Sequence, residues 1–233
     1  MLLQKTILKD LFHLFYPHVC TGCGSDIIES ENLLCLRCTS LLPHTNFAEH
    51  PNNIVAKIFT GRINLVNACS EFYFSKGALI QTLIHDFKYK GNKEMGVYLG
   101  NLMGKSLLNS NRFNDVDVLI PLPLFPEKEF KRGFNQATIL CNGISQVMNI
   151  PVLTSAVIRK KFTETQTKKH RTERWENVAE SFAVIHPEKL KNKHALLVDD
   201  VVTTGATLEV CGSAILKCEG VALSIATLAY AAK

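Results

Sequence analysis

Ala195-Leu196-Leu197-Val198-Asp199-Asp200-Val201-Val202-Thr203-Thr204-Gly205-Ala206-Thr207 is the stretch that decides the fold. Its apolar start predicts a strand buried on both faces, the kind found in a parallel sheet covered by helices. That strand delivers two adjacent carboxylates, Asp199 and Asp200, at its C-terminal end, where open α/β sheets bind their ligands. The residues after them are small and hydroxyl-bearing, and Gly205 allows a tight turn into the next predicted helix. Unpaired N–H groups and the positive end of that helix suit the loop to a phosphate group. The carboxylates before it can hold ribose hydroxyls, directly or through a magnesium ion.

Leu-Val-Asp-Asp also resembles the first strand of a response-regulator receiver domain. Only 33 residues follow Asp200, too few for the remaining βα units of that fold. A nucleotide P-loop is excluded, because the chain contains no G-x-x-x-x-G-K-[ST].

A second constellation lies near the N-terminus. Cys20-Thr21-Gly22-Cys23 and Cys35-Leu36-Arg37-Cys38 form two C-x-x-C pairs with eleven residues between them. Two such turns can present four sulfurs tetrahedrally, the geometry of a closed structural zinc site with no position left for a reacting water. A short module with little core of its own draws its folding energy from such a metal. A redox dithiol is the rival reading, but that motif usually occurs once, beside a βαβ unit. His18 and His44 flank the cluster as substitute ligands. Cys69, Cys141, Cys211 and Cys218 are scattered singly and read as inert core residues.

The remaining sequence fits around these two motifs. The chain has 233 residues, 46% of them hydrophobic and 20% charged, enough for a substantial core and incompatible with a disordered protein. Its net charge of +5 suits anionic ligands without establishing nucleic-acid binding. Residues 1–16 read as a short amphipathic helix stopped by Pro17. Nothing approaches a membrane span, so a cytoplasmic protein is expected. The predicted division is a helix and four-cysteine zinc module over 1–45, a polar, turn-rich linker over 46–68, and one α/β domain over 69–233. Within that domain we expect strands at 69–74, 116–122, 152–158, 182–184, 195–198 and 221–230. Helices are expected near 77–88, 94–108, 134–148 and 206–218, with a polar loop through 125–133.

Residues 159–176 carry seven Lys or Arg and three Glu, so most of the net charge sits in one segment. Lys168, Lys169, Arg171 and Arg174, with Phe162, His170 and Trp175 interspersed, are candidates to follow a nucleic-acid backbone. Cations interleaved with stacking aromatics are how single strands are held without sequence preference.

The segment 196–207 resembles the PRPP-binding motif of type I phosphoribosyltransferases. Together with the cysteine module, the whole chain resembles the ComF family, which couples an N-terminal zinc finger to a phosphoribosyltransferase-like domain. Further matching segments are Leu83 to Gly91, Ile120-Pro121-Leu122-Pro123 and Lys131-Arg132-Gly133-Phe134-Asn135-Gln136-Ala137. A last one is the spaced set Thr165-Gln166, Arg171, Arg174, Asn177-Val178 and Phe182. The resemblance implies that Asp199 and Asp200 are catalytic. It implies that Val201, Val202, Thr203, Thr204, Gly205, Ala206 and Thr207 hold the phosphate of PRPP, with magnesium as cofactor. It places Leu122, Pro123 and Leu124 near the diphosphate and makes Arg132 and Lys88 cationic partners of the ligand. The segment 159–176 then occupies the place of the loop that closes over substrate. Implied activities are pentosyl transfer from PRPP and a part in DNA uptake during natural transformation. The alternatives are a competence factor that binds single-stranded DNA with PRPP as ligand and no transfer, or a zinc-finger adaptor for DNA-uptake and recombination proteins.

Overall fold

The computed structural model describes residues 18–160 and 181–232, except positions 27, 30, 31 and 90. The helix read over 1–16 and most of the basic segment, including Lys168, Lys169, Arg171 and Arg174, lie outside the described residues.

Four strands form one parallel sheet: β1 (Ala68–Tyr73), β2 (Val118–Pro121), β5 (His194–Val202) and β6 (Ala222–Tyr230), in the order β1-β6-β5-β2. The first five residues of β5 are buried consecutively. Side chains alternate between sheet faces, so that pattern requires cover on both faces, as the apolar run predicted. Helices α4 (Lys93–Asn109) and α6 (Gln136–Met148) pack on the sheet and closely against each other. A Cβ added at Gly100 would lie 2.4 Å from the Leu140 carbonyl oxygen, so any larger residue there forces the two helices apart. Helix α7 (Ala206–Ile215) packs on β5 and β6, and α3 (Leu79–Tyr89) precedes α4. No helix among the described residues is long and apolar enough to cross a membrane.

The cysteine-bearing segment, with its short helix α1 (Leu36–Ser40), is joined to the sheet through backbone bonds. Tyr73 N–H donates to the Pro43 carbonyl and Thr45 N–H to the Glu71 carbonyl, so residues 43–45 run antiparallel along the edge of β1. This covers a strand edge that would otherwise be free to pair with another chain.

Three local expectations differ from the structure. Residues 46–68, read as a polar linker, contain α2 (Ile54–Phe59), capped by the Asn53 side chain and burying Val55 and Phe59. The cap and two apolar anchors are enough to make a short helix in a turn-rich stretch. Residues 125–133, read as a loop, contain α5 (Pro126–Arg132), which starts on a proline and stops at Gly133 with φ 79°. It buries no residue, so no hydrophobic periodicity marked it. The single strand expected over 152–158 is split. Val152 makes one parallel bridge to Leu119, and after a turn β3 (Val157–Arg159) pairs antiparallel with β4 (Phe182–Val184).

Candidate functional site

The sulfurs of Cys20, Cys23, Cys35 and Cys38 lie within 4.8 Å of one another, with Cys23 and Cys35 at 3.7 Å. Tetrahedral zinc with Zn–S bonds of about 2.3 Å needs sulfurs about 3.8 Å apart, so the cluster fits the metal with little adjustment. Burial pushes the Cys20 thiol up, but the backbone N–H groups of Cys35, Cys23 and Gly22 outweigh it and bring the group down to about 6. At Cys20 the turn therefore favours a thiolate, the form that binds metal, whereas burial and the neighbouring cysteines push the Cys38 thiol up. Gly22 is needed because a Cβ there would lie 2.9 Å from both the Cys38 sulfur and the Leu79 side chain. His18 and His44 are engaged elsewhere: His18 Nε2 is 2.7 Å from the Asn32 carbonyl, and His44 Nδ1 is 2.7 Å from Glu71 Oε1. The four scattered cysteines have thiols pushed up, first of all by burial, which matches inert residues.

At the C-terminal end of the sheet, β5 carries Asp199 and Asp200 out to the threonine loop. Asp199 Oδ1 accepts from the Asp200 N–H at 2.8 Å, and Asp200 Oδ2 is paired with Lys88 Nζ at 2.7 Å. Both members of that pair are mostly covered, at 18% and 14% exposed. Lys88, the last basic residue of α3, thus reaches the acidic pair. Beyond it, Asp199 and residues 201–208 line a cavity of about 60 Å³ at the start of α7.

That loop is braced by residues the sequence reading passed over as linker. Arg62 donates from Nη1 to the Thr204 carbonyl at 2.7 Å and from Nη2 to Glu209 Oε2. Gly205 has φ 72°, and a Cβ there would fall 2.7 Å from the Phe59 ring and 2.9 Å from Ile58. A side chain at this position meets both a left-handed backbone and a packed wall. Gly205→Ala is expected to destabilise the fold by about 2–4 kcal/mol, read as a lowered denaturation midpoint. An unchanged midpoint would show that the loop can relax away from α2.

The segment Leu122–Leu124, which the resemblance places near a diphosphate, is tied at both ends of its first residue. The Leu122 N–H donates to the Val198 carbonyl at 2.8 Å, and the Leu122 carbonyl accepts from Asn135 Nδ2 at 3.0 Å. Pro123 has no N–H, which leaves Leu124 as the backbone donor of the three. Asn135 also caps α6 through the Ala137 N–H, so one side chain ties this segment to a helix start. Arg132 donates from Nη1 to Gln136 Oε1 at 2.7 Å and sits over the Tyr89 ring. It shares a cleft with Lys88.

Arg159 is the residue missed near the acidic pair. Its guanidinium lies 3.9 Å from the Phe125 ring centroid and 5.1 Å from that of Phe182. Its Nε is buried with no hydrogen-bond partner among the described residues. Burial lowers its basicity, opposed by the fields of Cys211 and Asp199. A lone arginine at the head of a polar segment carries no signal of this in the sequence.

Burial, and after it the neighbouring Asp200, pushes the Asp199 carboxyl from 3.8 up to about 8, against the pull of the Asp200 N–H, Lys88 and Arg159. A carboxyl that holds its proton more tightly when folded weakens the fold as pH rises between its unfolded and folded pKa. Through this group the ligand-free chain is expected to lose stability from pH 3.8 to about 8. Asp199→Asn should remove that part of the loss. Denaturant titrations of both proteins across this range test it, and identical pH profiles would contradict it.

Comparison with known proteins agrees with this arrangement. The phosphoribosyl transferase domain family matches residues 133–233. Competence protein F of Haemophilus influenzae is 28% identical over 207 residues, covering 84% of this chain and 83% of that protein. DNA utilization protein YhgH of Shigella flexneri is 31% identical over 132 residues, 55% of this chain and 57% of its own length. Competence protein ComFC of Bacillus subtilis is 33% identical over 110 residues, 47% of this chain and 42% of its own. The match to YhgH thus spans little more than half of that protein. A parallel sheet that ends in an acidic pair and a threonine loop, and a cysteine cluster that fits a zinc module, accompany these similarities: residues 133–233 match the phosphoribosyl transferase domain, and the chain is similar to competence protein F, ComFC and the DNA utilization protein YhgH.

Proposed function

We propose that this chain binds PRPP with magnesium in its phosphoribosyltransferase-like domain and serves in the handling of incoming DNA, with residues 1–45 forming a structural zinc module. The observation that carries the reading is the small cavity bounded by Asp199 and the threonine loop at the end of β5. Backbone N–H groups and hydroxyls of Thr203, Thr204 and Thr207 suit the 5′-phosphate. Asp199 and Asp200 would accept from ribose hydroxyls. Lys88, held at Asp200, and Arg159, packed against two aromatic rings, supply positive charge for the diphosphate side, with the Leu124 N–H and Arg132 further along. Magnesium, when bound with PRPP, screens the charge of the diphosphate and favours its departure.

The ion pair between Lys88 and Asp200 keeps the ligand-free acidic pair from standing as two unopposed carboxylates. Binding would exchange that contact for ligand hydroxyls and diphosphate oxygens. PRPP with magnesium should therefore raise the melting temperature of the zinc-loaded chain, and inorganic phosphate should do so far less. No stabilisation at any magnesium concentration would defeat the reading. Release of diphosphate across a panel of bases and amines then separates transfer from ligand binding alone. The competence names of the relatives support the DNA role, with Lys168, Lys169, Arg171 and Arg174 proposed as backbone contacts and DNA-uptake or recombination proteins as partners.

A further inference from the structure

The four sulfurs of the cysteine cluster are not equally sheltered. Cys20 and Cys38 are 1% and 4% exposed, whereas Cys35 is half-buried and Cys23 is exposed. Packing follows the same division. A Cβ at Gly22 would lie 2.9 Å from both the Cys38 sulfur and Leu79 Cδ1, so one side of the cluster is pressed against the first residue of α3. On the other side, a Cβ at Gly24 would meet no described atom within 4 Å. The open side therefore holds one cysteine from each C-x-x-C turn, with their sulfurs 3.7 Å apart.

Zinc ligation keeps both of these sulfurs as thiolates, the nucleophilic form. An S–S bond is about 2.0 Å long, so the two sulfurs need to approach by about 1.7 Å. The unpacked backbone at Gly24 allows that movement while Cys20 and Cys38 stay in place. The new bond would tie one turn to the other, as the metal does.

We propose that Cys23 and Cys35 are the site of a reversible oxidation that exchanges the metal for a disulfide and, through α3, weakens the PRPP site. With a peroxide as oxidant, the Cys23 thiolate attacks one oxygen and becomes a sulfenic acid. The O–O bond breaks, and the departing hydroxide takes a proton to form water. The Cys35 thiolate then attacks the Cys23 sulfur and displaces its hydroxide, which leaves as a second water. Two electrons have passed from the two sulfurs to the peroxide. Disulfide sulfurs carry no charge and bind zinc poorly, which leaves only Cys20 and Cys38, too few to retain the ion.

Helix α3 carries the change to the acidic pair. Leu79 opens the helix against Gly22, and Lys88, about 14 Å further along, pairs with Asp200. Once the metal leaves, the Cys38 sulfur no longer holds its place at Gly22, Leu79 loses that wall, and the ammonium shifts relative to Asp200. This second step rests on PRPP binding at the threonine loop; the oxidation itself does not.

Peroxide treatment of the zinc-loaded full chain, with a chromogenic chelator to follow zinc and peptide mapping of the product, tests the site. One zinc should leave per chain as one Cys23–Cys35 disulfide forms. Reductant with added zinc should restore the metal and the original melting temperature. Cys218→Ser, outside the cluster, should leave the release rate unchanged. PRPP titrations of the reduced and oxidised protein should differ in affinity about tenfold. Leu79→Ala should keep its zinc and its peroxide response but lose most of that difference. Four results would overturn the proposal: zinc release without a disulfide, a disulfide confined to either C-x-x-C turn, a loss that reductant and zinc do not reverse, or equal PRPP affinity before and after oxidation. A reduced, zinc-loaded chain that binds no PRPP defeats the PRPP reading and the coupling with it, while the zinc and disulfide readouts still decide the oxidation site.

Discussion

Cys38→Ser is expected to release the metal and unfold the cysteine module. The side chain is buried, and its sulfur stands with three others in a cluster no wider than 4.8 Å. Serine offers zinc a poor ligand, and the module has few other resources. Among the described residues its buried apolar side chains are two of the cysteines themselves with Leu34 and Leu42. A structural zinc site supplies apparent binding energy of about 10–16 kcal/mol in small finger peptides, most of which is folding energy. Damage should spread past the module, because residues 43–45 cover the edge of β1 and Gly22 packs between Cys38 and Leu79 of α3. The wild type should contain one zinc per chain by elemental analysis, and the variant almost none, with a lower melting temperature and a tendency to aggregate. Cys69→Ser, a buried cysteine outside the cluster, should keep its zinc. Full zinc content in Cys38→Ser would remove the metal reading.

The second large effect is expected at the acidic pair. Asp200→Asn removes the partner of Lys88 and leaves a mostly covered ammonium without its counter-charge. Asp199→Asn instead removes a carboxyl that is costly to ionise in the ligand-free chain. The two substitutions should therefore differ in stability, the first destabilising and the second neutral or stabilising near pH 8. Both should cost about a hundredfold or more in affinity for PRPP with magnesium, since each deletes a charged acceptor from the proposed ribose and metal site. Divergent stability with shared loss of binding separates ligand contact from general damage. If either variant keeps wild-type affinity, that carboxylate has no place in the site.

What was legible in the sequence depended on how local the causes are. β5 and its loop were readable because an apolar run, two acids, three threonines and a glycine lie within one stretch and each acts on its neighbours. The cysteine cluster was readable because two tight turns dictate where the sulfurs point. The brace on the threonine loop was not readable, since Arg62 and Thr204 are 142 residues apart and meet only through the packing of α2. Helix α5 has proline and glycine punctuation at its ends but no buried face, so a reading that weighs periodicity passes over it. Arg159 owes its setting to Phe125 and Phe182, which the fold alone brings against its guanidinium. The split after Val152 follows from a turn at Thr154 and Ser155, residues whose polarity was visible inside an otherwise strand-like run.

Calorimetric titration of the zinc-loaded chain with PRPP, in the presence and absence of magnesium, is the most direct test of the account. We predict one saturable site per chain whose affinity rises with magnesium and is lost in Asp199→Asn. A folded, zinc-loaded wild type that shows no heat with PRPP and magnesium, or binds no better than Asp199→Asn, would contradict it.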